Sequence, residues 1–316
     1  MDRLDLRLLK SLLLNNGVPP GIPVLRRSFR GFAKELGVDQ GTVRKRMKLF
    51  QESHVLKGWY LGVSPGITGH NVVHAWFEVK TDSEKTRLIE RLLTVKHVER
   101  VCNYLGPKIS LVLLLRKGAN PDSATKLVES EAGPLAILHK QGLVTVAAYL
   151  AKQTDLAIIE CLRRDPWKPY SGVAEEIGVS SRTVKRKVSR LSEDGAIYML
   201  PIIDLKALQG IIPVELVVDY ASPESKTIAN SRIMSHLREG LVFFDTRGPH
   251  GYFAIVVTNV SQVEQIAKWA KQQQGVGDVH TDVLQDVLLN RSHYGSRDLL
   301  TKYEVAKERT ETVRLR

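Results

Sequence analysis

Thiols are scarce in this chain: Cys102 and Cys161 are the only two in 316 residues. They are distant in sequence and neither sits in a paired ligand motif. That argues against a disulfide framework or structural zinc, and a reducing compartment is the simplest setting. Long apolar runs are also missing. The strongest, Ile109 to Leu115, is far short of the ~20 residues that span a bilayer. The start, Met1 to Leu14, alternates charge with leucine and lacks the uninterrupted apolar stretch of a secretory signal. Together these absences predict a cytoplasmic protein with no membrane partner. There is no nucleophile elbow, phosphate-binding loop or zinc spacing, and the nine histidines are scattered. No catalytic residue, cofactor or metal ligand is therefore assigned.

Negative charge is in short supply too. Asp and Glu number 34 against 46 Lys and Arg, giving a net charge of +12 and a pI near 9.6. The surplus predicts attraction to a polyanion, and by charge alone nucleic acid and an anionic membrane surface both fit. With 43% hydrophobic residues the chain can bury real cores. Its length suggests two domains or more at ~150 residues each.

What the sequence does have is a repeat. Ala33-Lys34-Glu35-Leu36-Gly37-Val38 aligns with Ala174-Glu175-Glu176-Ile177-Gly178-Val179, at a constant offset of 141. Thr42-Val43 and Thr183-Val184 keep the same register, each followed by three basic residues. A leucine-rich helix precedes each match and a short apolar tail follows it (55–63; 196–203). Downstream, the first copy reads as a strand at 72–79, a helix opened by the capping box Thr81-Asp82-Ser83-Glu84, strands at 98–105 and 109–115, a helix after Asn120-Pro121, and a strand near 143–150. The second copy gives a strand at 213–219, a helix opened by Ser222-Pro223, strands at 241–246 and 252–258, a helix opened by the box starting at Ser261, and a strand near 279–288. Both orders are β-α-β-β-α-β, the ferredoxin-like sequence of elements.

The expected fold is therefore α+β: two winged helix-turn-helix domains (1–65 and 151–208) alternating with two ferredoxin-like sandwiches (66–150 and 209–290). A charged C-terminal tail (291–316) reads as a helix or a flexible arm. In each head Gly37 or Gly178 makes the turn and Asp39 or Ser180 caps the next helix. Val43, Met47 and Phe50, and likewise Val184, Val188 and Leu191, make its apolar face. Residues at the start of such a helix approach base edges, while their neighbours neutralise phosphates. Gln40, Thr42, Arg44, Ser181, Arg182 and Lys185 are the base-side candidates; Arg can hold guanine and Gln adenine with paired hydrogen bonds. Lys45, Arg46, Lys48, Arg186 and Lys187 are the phosphate candidates, with Thr183 beside them. The tails after these helices read as β wings, with Trp59 and Tyr60 packing the first wing onto its own domain. Residues 1–65 carry 12 Lys and Arg against 5 Asp and Glu, whereas residues 151–205 carry 9 against 8. The first head should dominate binding.

These motifs resemble the leucine-responsive regulatory protein family, Lrp/AsnC. The resemblance rests on Asp155-Leu156-Ala157-Ile158-Ile159, on 173–184, on Leu191-Ser192-Glu193-Asp194-Gly195-Ala196-Ile197, and in the first copy on Leu4 to Leu9, 56–60 and 65–69. It implies a transcription regulator that binds double-stranded DNA and pairs its sandwiches into a homo-oligomer. Members usually carry one head and one sandwich, so this fused chain is expected to imitate a family dimer, with its two sheets packed together. The heads differ (Gln40-Gly41 against Ser181-Arg182), so the site need not be a true palindrome. The family's glycine turn between the second and third sandwich strands helps to bind an amino-acid effector. Here the turns hold Gly106 and Gly248 without the acidic residue, and the alternative is that they only close hairpins. Arg247 and His250 are candidates for holding an anion. Siroheme decarboxylases share the same build and are the enzymatic alternative; a nonspecific architectural DNA binder is the other.

Overall fold

The computed structural model describes residues 1–14, 25–26, 28–132 and 136–290. The tail at 291–316 lies outside the described residues. The first head consists of α1 (Arg3–Leu14), α2 (Phe29–Leu36) and α3 (Gln40–Glu52), followed by β1 (Leu56–Val63). Leucines at i, i+1 and i+4 on α1 (Leu8, Leu9, Leu12) bury against Phe32, Ala33 and Leu36 of α2 and Val43, Met47 and Phe50 of α3. The first sandwich then runs β2 (His70–Val79), α4 (Asp82–Leu92), β3 (Val98–Tyr104), β4 (Lys108–Arg116), α5 (Pro121–Ala132) and β5 (Ala136–Val144). The second head repeats the pattern with α6 (Gln153–Arg164), α7 (Tyr170–Ile177), α8 (Ser181–Glu193) and β6 (Ile197–Ile203). The second sandwich is β7 (Ile212–Tyr220), α9 (Lys226–His236), β8 (Leu241–Asp245), β9 (His250–Val257), α10 (Val260–Lys271) and β10 (Val276–Leu289).

Both sandwiches have the ferredoxin-like strand order, fourth-first-third-second. They join edge to edge where β3 pairs antiparallel with β10, Asn103 opposite Asp286 and Arg100 opposite Leu289. One eight-stranded sheet results, β5-β2-β4-β3-β10-β7-β9-β8. Alternation along each strand decides what its two faces meet. Val73, Ala75, Phe77 and Val79 of β2 pack in a core with Leu88 and Leu92 of α4. Trp76, from the opposite face of β2, packs instead with Tyr252 of β9, rings 5.1 Å apart and 7° from parallel. Cys102, Tyr104, Val217 and Leu284 complete this layer. The sheet thus curls so that its two halves face each other.

The wings depart from expectation. Each head contributes one strand, and β1 pairs antiparallel with β6 in a ribbon of its own, Tyr60 opposite Leu200. Neither wing is a hairpin free to lie along a groove. Leu61, 1% exposed, is buried in the core of the other head; burying such a side chain contributes about 2 kcal/mol. The heads are also held crosswise: Lys10 of α1 donates to the carbonyls of Arg238 and Glu239, 2.6 Å each, just before β8.

Three element boundaries are corrected. The last strand of the first sandwich is β5, not 143–150. It ends at Val144, opposite Val72 near the start of β2. The apolar Val144 and Val146 mimic strand alternation because they bury with Val72 and Val112. Helix α9 opens at Lys226, because Ser222 and Ser225 hydrogen-bond each other and form a turn first. Helix α10 is capped by Asn259 rather than Ser261, its side chain accepting from the Gln262 amide at 3.1 Å.

Candidate nucleic-acid interface

The two reading helices, α3 and α8, are built alike. The turn before each is closed by a glycine in the left-handed region, Gly37 at φ 69° and Gly178 at φ 70°. Asp39 then caps α3, accepting from the Thr42 amide at 2.9 Å and from its hydroxyl at 2.5 Å. Ser180 caps α8 through the Thr183 amide at 3.2 Å, and the two hydroxyls lie 2.9 Å apart. Thr42 and Thr183, expected from the sequence to face DNA, are half-buried and engaged in their own caps. Such a cap stabilises a helix by about 1 kcal/mol.

Gln40, Arg44, Lys45 and Lys48 are exposed on α3, and Ser181, Arg182, Lys185 and Arg186 on α8. They fall on the side opposite the apolar face, so one stripe of each helix is basic and open. The Arg44 guanidinium sits 5.6 Å from the Phe29 ring centre, a cation–π contact that limits its freedom.

Arg46 and Lys187 take a different role from the one their charge suggests. They occupy equivalent positions in the repeat and both turn inward. Arg46 bonds Asp5 at 2.9 Å and Asp2 at 2.6 Å, both on or beside α1. Lys187 bonds Asp155 of α6 at 2.8 Å, and Arg190 reaches the same carboxylate at 3.0 Å. Asp155 is fully buried. Burial disfavours its charge, but the Lys187 hydrogen bond, the Lys152 amide and both cations outweigh that and lower its pKa. These residues clamp the first helix of each head to its reading helix. Sequence reasoning misses Arg190; its spacing from Lys187, i+3 on one helix face, is the available signal.

The glycine turns are also tied down. Lys85 of α4, 5% exposed, donates to the carbonyls of Tyr104 and Gly106 at 2.5 Å each. Lys226 of α9, 141 residues later, donates to the Gly248 carbonyl at 2.5 Å. Arg247 is bonded through two nitrogens to Asp245, at 3.0 and 2.6 Å, and His250 lies 2.7 Å from Asp219. The anion-holding role expected of Arg247 and His250 is thus met by internal carboxylates. Among the described residues no group of His, Cys, Asp and Glu is arranged to hold a metal, and no helix is long and apolar enough to cross a membrane.

A family model described as winged helix-turn-helix DNA-binding matches residues 152–198. The HTH-type transcriptional regulator Ptr1 of Methanocaldococcus jannaschii is 36% identical over 73 residues, 23% of this chain and 43% of that protein. The match therefore spans less than half of Ptr1. The HTH-type transcriptional regulator LysM of Sulfurisphaera tokodaii is 26% identical over 42% of this chain and 93% of its own length. Among solved structures, the siroheme decarboxylase NirDL in complex with an iron-uroporphyrin III analogue aligns over 99% of this chain and 100% of its own, with a TM-score of 0.53 and 12% identity. At that identity the likeness concerns the fold alone. The winged helix-turn-helix leads into a ferredoxin-like sandwich, the architecture that the Lrp/AsnC resemblance implies, and the sequence relatives are HTH-type transcriptional regulators.

Proposed function

We propose that this chain is a sequence-specific DNA-binding regulator and not an enzyme, with residues 1–65 and 151–208 as two reading heads and residues 66–150 and 209–290 as the scaffold between them. The observation that carries this is the open basic stripe on two separately capped reading helices, in heads joined by the β1–β6 ribbon. Gln40, Arg44, Ser181, Arg182 and Lys185 approach base edges; Lys45, Lys48 and Arg186 neutralise phosphates. The tandem arrangement arises from duplication of one head-plus-sandwich unit. One chain does the work of a family dimer, because β3–β10 pairing and the facing sheets already supply the contact between two units. An effector such as an amino acid, if it acts at Gly106 or Gly248, has to displace the lysine that holds each turn. The test is selection of genomic fragments by the purified chain near physiological salt with competitor DNA. Enrichment of a motif with two unlike half-sites is expected. Even enrichment across fragments would mark an architectural binder instead.

Tetrapyrrole decarboxylation is the competing reading, favoured by the full-length fold likeness to NirDL. The cavity between the sheets speaks against it. Among the described residues three acids (Glu99, Asp194, Asp245) line it against two arginines (Arg100, Arg247), a poor match for a ring bearing many carboxylates. Absence of a shifted absorption band after siroheme is added, together with DNA retention, is the expected result.

A further inference from the structure

The two halves of the sheet and the ribbon above them enclose a cavity of about 490 Å³, within the range of small-molecule sites. No local sequence pattern points to it, since its walls come from β1, β2, β3, β6 and β8 together with the segments 145–149 and 194–196. We propose that this cavity binds a planar nitrogen heterocycle, uncharged or cationic, that donates an N–H to His74. Its occupancy does not depend on DNA reading by the heads.

His74 carries the inference. The side chain is 9% exposed and lines the cavity. No hydrogen bond joins its ring nitrogens to another described residue, and they are not among the buried polar atoms shut off from solvent, so they open onto the cavity. Its ring is fixed from one side by Tyr252, centroids 4.5 Å apart. Burial holds the imidazole neutral, with a pKa of about 3. A neutral imidazole offers one acceptor and one donor nitrogen, the pattern that an N–H/N edge of a heterocycle complements. Asp245 and Arg247, already paired, and His250 are the charged or titratable groups facing it from β8 and β9, with Arg100 from β3. The walls suit a flat ring: Phe243 from β8 and Tyr198 from β6 line the cavity. The acids that line the cavity exceed the arginines by one, which disfavours an anion. A second buried group is left over in the adjoining layer: the Tyr252 hydroxyl is without a partner among the described residues.

The experiment titrates the full chain with adenine, guanosine and tryptamine, by calorimetry and by the ¹⁵N shifts of the imidazoles. At least one probe should bind and move a single imidazole signal. His74→Phe keeps the stack on Tyr252 and removes both nitrogens, so binding should weaken about tenfold, as expected for one hydrogen bond removed. Leu200→Trp fills the cavity from the ribbon and should abolish binding. Both variants should melt cooperatively and keep their affinity for a single half-site, which separates this result from any failure of the heads. No binding by all three probes at millimolar concentration overturns the proposal. Binding indifferent to both substitutions overturns it equally, as does a siroheme band that the wild type shows and both variants lack.

Discussion

At the scale of the residue, charge alone misleads. Six basic side chains follow the two Thr-Val pairs, yet Arg46 and Lys187 are engaged inside the heads while Arg44, Lys45, Lys185 and Arg186 stay open. Helical phase makes the difference: each inward residue is one position before Met47 or Val188, at the edge of the apolar face. Asp155 is the clearest consequence. Asp155→Asn leaves Lys187 and Arg190 facing a neutral amide and should cost about 3 kcal/mol, read as a lower urea midpoint at pH 7. Its folded pKa is depressed, so its stabilising contribution is full above the unfolded value near ~3.9 and fades as pH falls through the folded one. The difference between wild type and variant should therefore shrink below about pH 4; a constant difference at about pH 2 would disprove the linkage. The outward residues make a separate prediction. Arg44→Ala with Lys45→Ala should weaken DNA binding more than Lys185→Ala with Arg186→Ala. The salt slope should drop by about one for each phosphate interaction removed. Equal weakening by the two pairs would show that the first head does not dominate.

At the scale of the element, most of the helices and strands are legible because their signals are local. Caps at Asp39, Ser180 and Thr81, the left-handed glycines and the period-two strands all fix structure within a few residues. What is not legible is decided by partners far away. Val144 and Val146 look like strand alternation, but only their burial against Val72 and Val112 explains them. The sequence reads each wing as part of its own head; their pairing joins distant segments such as Tyr60 and Leu200, which no local pattern encodes. Gly62 shows how close that pairing is, for a Cβ there would run into the Tyr198 ring on the opposite strand. Gly62→Val should loosen the ribbon. We expect a melting temperature lower by several degrees, consistent with a cost of ~1–3 kcal/mol from overpacking. Affinity for a single half-site should stay near wild type while affinity for the two-half-site DNA falls toward it. Unchanged two-site affinity would mean that the ribbon does not set the distance between heads.

At the scale of the whole molecule, the offset of 141 residues announces two units. Their joining into one curled sheet depends on β3 and β10 meeting as edges, a choice visible only in three dimensions. Of the candidate site, the basic stripes are readable from helical phase; the cavity is not, because short runs far apart in sequence, such as 99–100, 145–149, 194–196 and 243–245, compose it. The joined sheet has a consequence for stoichiometry. Edge pairing and facing sheets are satisfied within one chain, and the ribbon holds both heads, so a single chain should occupy both half-sites. Sedimentation of the complex with its selected DNA should give one chain per duplex, and the footprint should cover two unequal half-sites. Because the heads differ at their helix starts, inverting only one half-site should cost more than changing the bases between them, about 1–3 kcal/mol for each mismatched pair. Two chains per duplex on a symmetric site would show instead that each chain uses one head, and that the second head serves assembly rather than reading.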